Sequence, residues 1–502
     1  MDNLLASLAL GAGTALALSN VLYCFLGVMA GTFIGVLPGI GPLAAISMLL
    51  PITFYLEPAA AIIMLAGVYY GAEYGGSITS ILLNLPGTTS SAVTCLDGYP
   101  LSQQGRASMA LFMTAMASFL GSTVGILAMI LFSPLLARFA LDFGPWEYFS
   151  VMLLGLICAA VIASGSAIKG LMMVALGLLL GTVGTDVNSG TLRYTFGMYE
   201  LFDGIDLIVL AMGLFGIAEV FFVLRHPADP KAGVARVSLR EMLPHRSEMR
   251  RSPAPVLRGS ILGSLVGALP GTGQTVAAYL SYALEKLVSR RPEKFGSGAI
   301  EGIMAPESAN NAAAQTAFIP TLVLGIPGSA TMALILGALM IHGISPGSAL
   351  MNENSELFWG LIMSFWVGNV LLLVLNVPLI RIWVAMLGIR REILHVAIVC
   401  FICVGVYTVN HSPLDILFVL AFGIVGYAFK LAGFQPAPLL VGFILGPMME
   451  EQLRRAMLLS GGDLGRFIER PISATVLAIA LALTLLLMGR QLVALRSRKT
   501  NG

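Results

Sequence analysis

LPGIGP occupies residues 37–42 and LPGTG residues 269–273, each inside a long apolar stretch. Proline and glycine are the poorest residues for a helix interior, about 3 and 1 kcal/mol worse than alanine. Their placement in the middle of hydrophobic sequence, twice, decides how the chain is read. The surroundings are those of a membrane protein. Hydrophobic residues make up 57% of the 502 and charged residues 11%, with a mean hydropathy of +0.89, whereas about a quarter of a soluble domain is charged. Apolar stretches near 18–37, 108–132, 148–164, 166–184, 206–224, 357–380, 393–409, 414–430 and 471–489 mostly reach the length, about 20 residues, that a helix needs to cross a hydrocarbon core. Interrupted apolar segments lie between them, which predicts roughly 10 to 14 crossings or half-crossings.

The amino-terminal MDNLLASLAL carries Asp2 and no basic residue, and the first Lys or Arg is Arg106, so no cleaved signal peptide is expected. A net charge of +2 marks no particular partner, and no nucleic-acid partner is expected. The five cysteines (Cys24, Cys95, Cys158, Cys400, Cys403) are scattered through apolar sequence. Cys400 and Cys403 form a CxxC, but its setting, IVCFICVGV, reads as a buried helix with packing thiols rather than a redox or zinc site.

The chain repeats itself. GVLPGIG (35–41) matches GALPGTG (267–273) at an offset of 232, and NLPGTTSSAV (84–93) matches GIPGSATMAL (325–334) at 241. Residues 149–181 parallel 394–426 in hydropathy at 245. Order is kept and drift is small, so the chain reads as a duplicated unit, 1–224 and 259–490. A polar linker, 225–258, joins the copies and a basic tail, 491–502, follows. The linker carries eight Lys/Arg against three Asp/Glu, which places it in the cytoplasm by the positive-inside rule.

Counting back from the linker puts Asp186, Tyr194, Glu200 and Asp203 outside, Lys169 inside, Arg138, Asp142 and Glu147 outside, and Arg106 inside. In the second copy the sides flip, because the counterpart of the 133–147 loop holds Arg381, Arg390 and Arg391. The counterpart of the Lys169 loop, VNHSPLD, has no Lys or Arg. Matching loops on opposite sides are the mark of an inverted-topology repeat. The expected fold is therefore all-α: a polytopic bundle of two inverted repeats with broken or re-entrant helices. The side of the C-terminus stays open, since Arg454, Arg455, Arg466 and Arg470 compete with the basic tail.

Broken helices at corresponding places in two inverted halves point to a transporter binding site, because interruption at mid-membrane exposes backbone groups that need polar partners. Each half has two breaks: PGIG (38–41) and NLPGTTSS (84–91), then PGTGQT (270–275) and GIPGSAT (325–331). Free N–H groups, short hydroxyls and the positive end of the helix dipole converge at the first turn of a half-helix, which suits a carboxylate or another small anion. Carbonyls released where a half-helix ends suit sodium.

The candidate solute contacts are Asn84, Pro86, Gly87, Thr88, Thr89 and Ser90 in one half, and Gly325, Pro327, Gly328, Ser329 and Thr331 in the other. The break-shaping or cation-binding candidates are Pro38, Gly39, Gly41, Pro270, Gly271, Gly273, Gln274 and Thr275, with the intramembrane carboxylates Glu73 and Glu307, the latter expected to form a cation site or a proton relay with Asn310 and Asn311. Asp97 and His342 read as loop caps. No Lys or Arg occurs at 1–105 or 295–380, windows that hold three of the four breaks. A multivalent anion there lacks side-chain countercharge, and co-bound cations, sodium or protons, are the natural remedy.

GVLPGIGPLAAISMLLPITF, YYGAEYGGSITSILLNLPGTTSSAVTCLDGYPLSQQGRA, MAPESANNAAAQTAFIPTLVLGIPGSATMALILGALMIHGISPG and FILGPMMEEQLRRAMLLSGGDLGRFIERPISA resemble the large membrane subunit of the tripartite tricarboxylate transporters, the TctA family. The likeness spans about 18–490. It implies a bacterial inner-membrane permease that works with a small four-helix membrane subunit and a periplasmic solute-binding protein. Such a permease imports citrate-like carboxylates on a sodium or proton gradient, without ATP and without an organic cofactor. The absence of a GxxxxGK[ST] motif agrees, and the longest polar stretch is too short for a solute-capture domain. The rival readings are a free-standing carboxylate symporter, a passive channel and, weakest, an intramembrane protease built on the GGD at Gly461–Asp463. No catalytic residue is assigned.

Overall fold

A computed structural model of the chain describes residues 2–37, 41–140, 142–162, 166–186, 189–225, 237–269, 273–347, 350–387 and 391–500. Pro38, Gly39, Pro270 and Gly271, expected to shape two of the breaks, lie outside the described residues. Among those described the chain is helical nearly throughout, apart from a short hairpin that pairs Gly184–Thr185 with Leu192–Arg193. Among the described residues, five helical stretches are long and apolar enough to cross a membrane: Leu18–Gly35, Ala92–Ala140, Leu207–Arg225, Ser355–Asn376 and Pro413–Leu431. Seven shorter apolar helices of 10–17 residues accompany them. The expected all-α, multi-pass membrane architecture is what the chain adopts. The Ala92–Ala140 stretch bends at Gly105, whose φ of +76° suits glycine, inside a π turn at Ser102–Arg106.

Two tightly joined helix pairs hold the centre. In the first, Gly27, Gly31 and Gly35 of Leu18–Gly35 press on the backbone carbonyls of Met64, Val68 and Ala72 in Pro58–Leu83. Gly67, Gly71 and Gly75 answer against the carbonyls of Cys24, Val28 and Thr32. A side chain at any of these would collide with backbone. In the second, Gly259, Gly263 and Gly267 of Pro253–Gly267 meet the carbonyls of Ala305, Ala309 and Ala313 in Glu301–Thr316. The glycines and their partners stand at the same offsets as the sequence repeat. Small residues every fourth position let membrane helices approach backbone to backbone, where dispersion and weak Cα–H···O contacts replace a hydrophobic drive that lipid cannot supply.

The inner members of both pairs are enclosed on all sides. Every residue of Pro58–Leu83 from Ala60 to Leu82 is buried, and every residue of Glu301–Thr316 from Gly302 onward. These are the helices that carry Glu73 and Glu307. Their polar side chains have to find partners inside the protein.

Charged residues staple the ends of the bundle. Arg454 pairs with Asp186 (2.8 Å) and Glu450 (2.7 Å), and Arg470 pairs with Glu147 (2.7 Å). Arg454 and Arg470 therefore share a face with the acidic loops at 147 and 186. The linker is only partly a linker, since Arg106 pairs with Glu248 at 2.6 Å, Ser238 N–H donates to Ser108 Oγ at 2.9 Å, and Met242 is buried. Burial works against the Glu248 charge, but the Arg106 hydrogen bond and the His245 N–H outweigh it and hold the carboxyl below its ordinary range. Cys400 and Cys403 are free thiols on the Arg391–Asn410 helix. Asp463 accepts the Gly465 N–H in an exposed turn.

Candidate functional site

The repeat places two helix ends alike. Pro58–Leu83 ends at Asn84 and Phe318–Leu324 at Gly325, both left-handed, with φ of 56° and 69°. That conformation is open to glycine and tolerated by asparagine, and a proline two residues on stops the helix from resuming. Asn84 and Gly325 thus make the breaks and stand behind the cavity rather than on its wall.

After Pro86 the chain turns tightly. Thr88 N–H donates to Ser91 Oγ (3.1 Å), Ser91 N–H donates to Thr88 Oγ1 (3.2 Å), and the Ser91 hydroxyl also reaches Thr88 O (3.0 Å). Gly87 seats this tip in the groove of the first helix pair, its N–H donating to Gly76 O at 3.4 Å. A Cβ at Gly87 would fall on Gly76 Cα and lie 2.6 Å from Gly35 O. The second tip is looser, since a Cβ at Gly328 would have its nearest neighbours, among them Gly267 O, at 4.0 Å. Ser329 caps the Ala330–Ile341 helix by accepting the Met332 N–H at 3.2 Å.

Between the tips lies a cavity of about 470 Å³. Its wall brings together Gly41, Glu73, Pro86, Gly87, Thr88, Thr89, Ser90, Gly273, Gln274, Thr275, Pro327, Gly328, Ser329 and Thr331. Thr89 and Thr275 share a 2.8 Å hydroxyl hydrogen bond that joins the halves, and Gln274 Nε2 donates to Tyr69 OH. First turns of four helices open onto the cavity: Pro42–Thr53, Gly273–Val288, Ala330–Ile341 and Ala437–Leu459. No Lys, Arg or His is on the wall among the described residues.

Gln435, Ala437, Pro438, Val441 and Ala159 also line it, and the sequence reading missed them. FQPAP at 434–438, with proline in the first helical turn, is the signal that marks this N-terminus. It has no partner in the repeat, so repeat logic passes over it.

The two carboxylates sit in separate hydroxyl cages. Glu73 Oε2 accepts from Ser90 Oγ (2.6 Å), Asn310 Nδ2 (3.1 Å) and Thr88 Oγ1 (3.4 Å). Glu307 accepts from Ser77 Oγ (2.7 Å) and Thr94 Oγ1 on Oε1 and from Ser118 Oγ (3.4 Å) on Oε2. The expected grouping of Glu307 with both asparagines is corrected here. Asn311, one turn on from Glu307, bonds Ser118 Oγ (2.8 Å) and Glu307 O (3.0 Å), whereas Asn310, about 100° further round the helix from residue 311, reaches Glu73 instead. Glu307, Asn310 and Asn311 are off the cavity wall. The carbonyl oxygens of Asn310 and Asn311 are buried without hydrogen-bond partners.

Asp97 caps a loop, as expected. Its Oδ1 accepts the N–H groups of Gly296, Gly298 and Ala299, each at 2.8 Å, and Oδ2 accepts Tyr282 OH at 3.0 Å. His342 terminates the Ala330–Ile341 helix. No group of three or more His, Cys, Asp or Glu fit for a metal ion occurs among the described residues.

Interrupted helices whose N-termini face a small hydroxyl-lined cavity inside a polytopic bundle define a membrane transport protein rather than a soluble binding module. Residues 21–441 match the Tripartite tricarboxylate transporter TctA family, and the chain belongs to that family, one component of a system with partner subunits. It is 50% identical over 482 residues, 96% of either chain, to "Uncharacterized 52.8 kDa protein in TAR-I ttuC' 3'region" of Agrobacterium vitis. It is 49% identical to "Uncharacterized protein in TAR-II ttuC' 3'region" of the same organism, over 237 residues, 47% of this chain and 97% of that one. No solved structure matches.

Proposed function

We propose that this chain is the permease subunit of a binding-protein-dependent secondary transporter. It imports tricarboxylates or related carboxylates across the bacterial inner membrane on a sodium or proton gradient. The observation that carries the reading is the cavity wall. Four helix N-termini and the short hydroxyls of Thr88, Thr89, Ser90, Thr275 and Thr331 surround a space of about 470 Å³ that has no basic side chain among the described residues. N-terminal dipole ends attract an anion with about half a charge each. They thus favour carboxylates while leaving the charge to be balanced by a co-transported cation. The proposed partners are a small four-helix membrane subunit, a periplasmic solute-binding protein that delivers the solute, and surrounding lipid.

The duplicated unit is read as two inverted repeats, 1–224 and 259–490, with 225–258 cytoplasmic. The equal offsets of the two glycine-joined pairs and of the left-handed ends at Asn84 and Gly325 support the duplication. The shared face of Arg454, Arg470, Glu147 and Asp186 supports an exterior start for the last helix, which returns the 491–502 tail to the cytoplasm.

The test is accumulation of radiolabelled citrate and other small carboxylates in proteoliposomes that contain this chain, with and without its membrane partner and binding protein, under imposed sodium or pH gradients. Gradient-driven accumulation only in the complete system is the expected result. Accumulation by this chain alone would decide for a free-standing symporter, and equilibration without accumulation for a channel.

A further inference from the structure

The solute cavity has one ionisable carboxylate on its wall among the described residues, Glu73, and its charge has the wrong sign for a carboxylate solute. The residue is 3% exposed. Its three donors, Ser90, Thr88 and Asn310, are all neutral and all converge on Oε2; none of them uses Oε1. Beside it, Asn310 is 1% exposed and its Oδ1 is buried with no partner. The amide nitrogen of that same side chain is already committed to Glu73, which fixes the amide's orientation and leaves the oxygen as a free ligand. A buried carboxylate and, on the amide bonded to it, a buried oxygen without a partner are donor types that suit a hard cation.

A sphere of about 470 Å³ has a radius of about 5 Å, so a solute charge at its centre lies at least that far, roughly 5–6 Å, from a carboxylate oxygen on the wall. At an effective dielectric constant of about 20, like charges at that separation weaken binding about 100-fold. Glu307 stands off the wall, and hydroxyls bond both of its oxygens, so it offers the cavity no free carboxylate oxygen.

Resting on the carboxylate-permease reading, we propose that Glu73 is the coupling group. A monovalent cation, held by the Glu73 carboxylate with Asn310 Oδ1 or carried as a proton on the carboxylate, neutralises the wall before solute enters. Solute and cation then occupy adjoining sites and cross together. The titratable groups that feel the Glu73 charge are Tyr69 on its own helix and Glu307 on Glu301–Thr316. Of the other helices packed against it, Pro42–Thr53 and Ala330–Ile341 carry no titratable residue. Cys24 of Leu18–Gly35 lies at the level of Gly67, Asp97 of Ala92–Leu101 is engaged by the 296–299 loop, Glu356 in the first turn of Ser355–Asn376 accepts from Thr14, and Arg138 stands in the last turn of Ala107–Ala140.

The experiment uses the purified full chain in nanodiscs and reads thermal stability and citrate affinity in sodium chloride against choline chloride, at pH 6 and pH 8. Wild type should bind citrate about 100-fold more tightly with the cation than without it. In Glu73→Gln, which keeps an acceptor for Ser90, that dependence should fall to within about 3-fold, and stabilisation by the cation alone should vanish. Glu307→Gln should keep both responses. Asn310→Asp, which adds a charge beside Glu73, should steepen the dependence and guards against a Glu73 variant that fails to fold. A sodium effect at constant pH assigns sodium, and a pH effect in choline assigns the proton. Equal cation responses in wild type and Glu73→Gln overturn the proposal. A cation response that depends on Glu73, in a chain that binds no citrate or other carboxylate, refutes the solute assignment and leaves the cation site standing.

Discussion

Replacing Gly87 by alanine tests whether the first tip works by being seated. The added methyl would fall on Gly76 Cα and lie 2.6 Å from Gly35 O and 3.0 Å from Thr79 Oγ1. Backbone stands on both sides, so the tip has to move, by roughly 1 Å to restore ordinary contact. A shift of that size takes the 2.6 Å Ser90–Glu73 hydrogen bond to the edge of bonding range. Overpacking of this kind costs about 1–3 kcal/mol, which corresponds to roughly 5- to 150-fold in the ratio of seated to unseated tip. At the repeat-related Gly328 the nearest neighbours of a methyl are 4.0 Å away, so alanine should be accommodated. Radiolabelled carboxylate uptake, normalised to the amount of protein in the membrane, should fall at least 5-fold for Gly87→Ala and stay within about 2-fold of wild type for Gly328→Ala. The melting temperature of the purified chain should drop only for the first. Equal behaviour of the two variants would refute the argument that the tips differ in how they are held.

Asp97→Ala strands three backbone N–H groups and the Tyr282 hydroxyl and should destabilise the chain by about 3 kcal/mol or more; Asp97→Asn, which keeps one acceptor oxygen, should cost less in the same melting assay. A double-mutant cycle on Thr89 and Thr275, whose 2.8 Å bond is exposed, should give a coupling of about 1 kcal/mol or below in stability. Glu248 has a folded-state pKa below its ordinary value, so its contribution to docking of the linker is present above that ordinary value and is lost as pH falls through the lower folded one. Protection factors of the amides across 238–252, taken relative to the intrinsic exchange rate at each pH, should therefore fall in acid, and in Glu248→Gln they should be low already at pH 7.

The broken helices were legible because proline and glycine act locally: NLPGTTSS and GIPGSAT announce a stop and a restart wherever they occur. The residues after each stop, Thr88–Ser90 and Ser329–Thr331, line the cavity for the same reason, since a restart is an N-terminus. What the sequence concealed depends on direction and distance. Asn310 and Asn311 are neighbours in the chain, yet Asn310 reaches the Glu73 carboxylate while Asn311 turns to Ser118 and the Glu307 main-chain carbonyl, because helical geometry sends them to different faces. Asn84 and Gly325 look like tip residues until their backbone angles show them ending the preceding helix. The 434–438 N-terminus has no repeat partner to give it away. Arg454 and Arg470 confused the reading of sides because their partners, Asp186 and Glu147, stand hundreds of residues upstream.

The backbone contact along Gly27, Gly31 and Gly35, echoed at Gly259, Gly263 and Gly267, sets a rule for descent as well as for packing. With no volume left between the paired backbones, drift at these positions is restricted to residues without a side chain, whatever solute the cavity comes to prefer. The tips are free to diversify around a frame that is not. A spacing of four between such residues, present twice at the same register, is therefore the trait by which remote chains can be tested for this architecture after their solute-facing motifs have diverged.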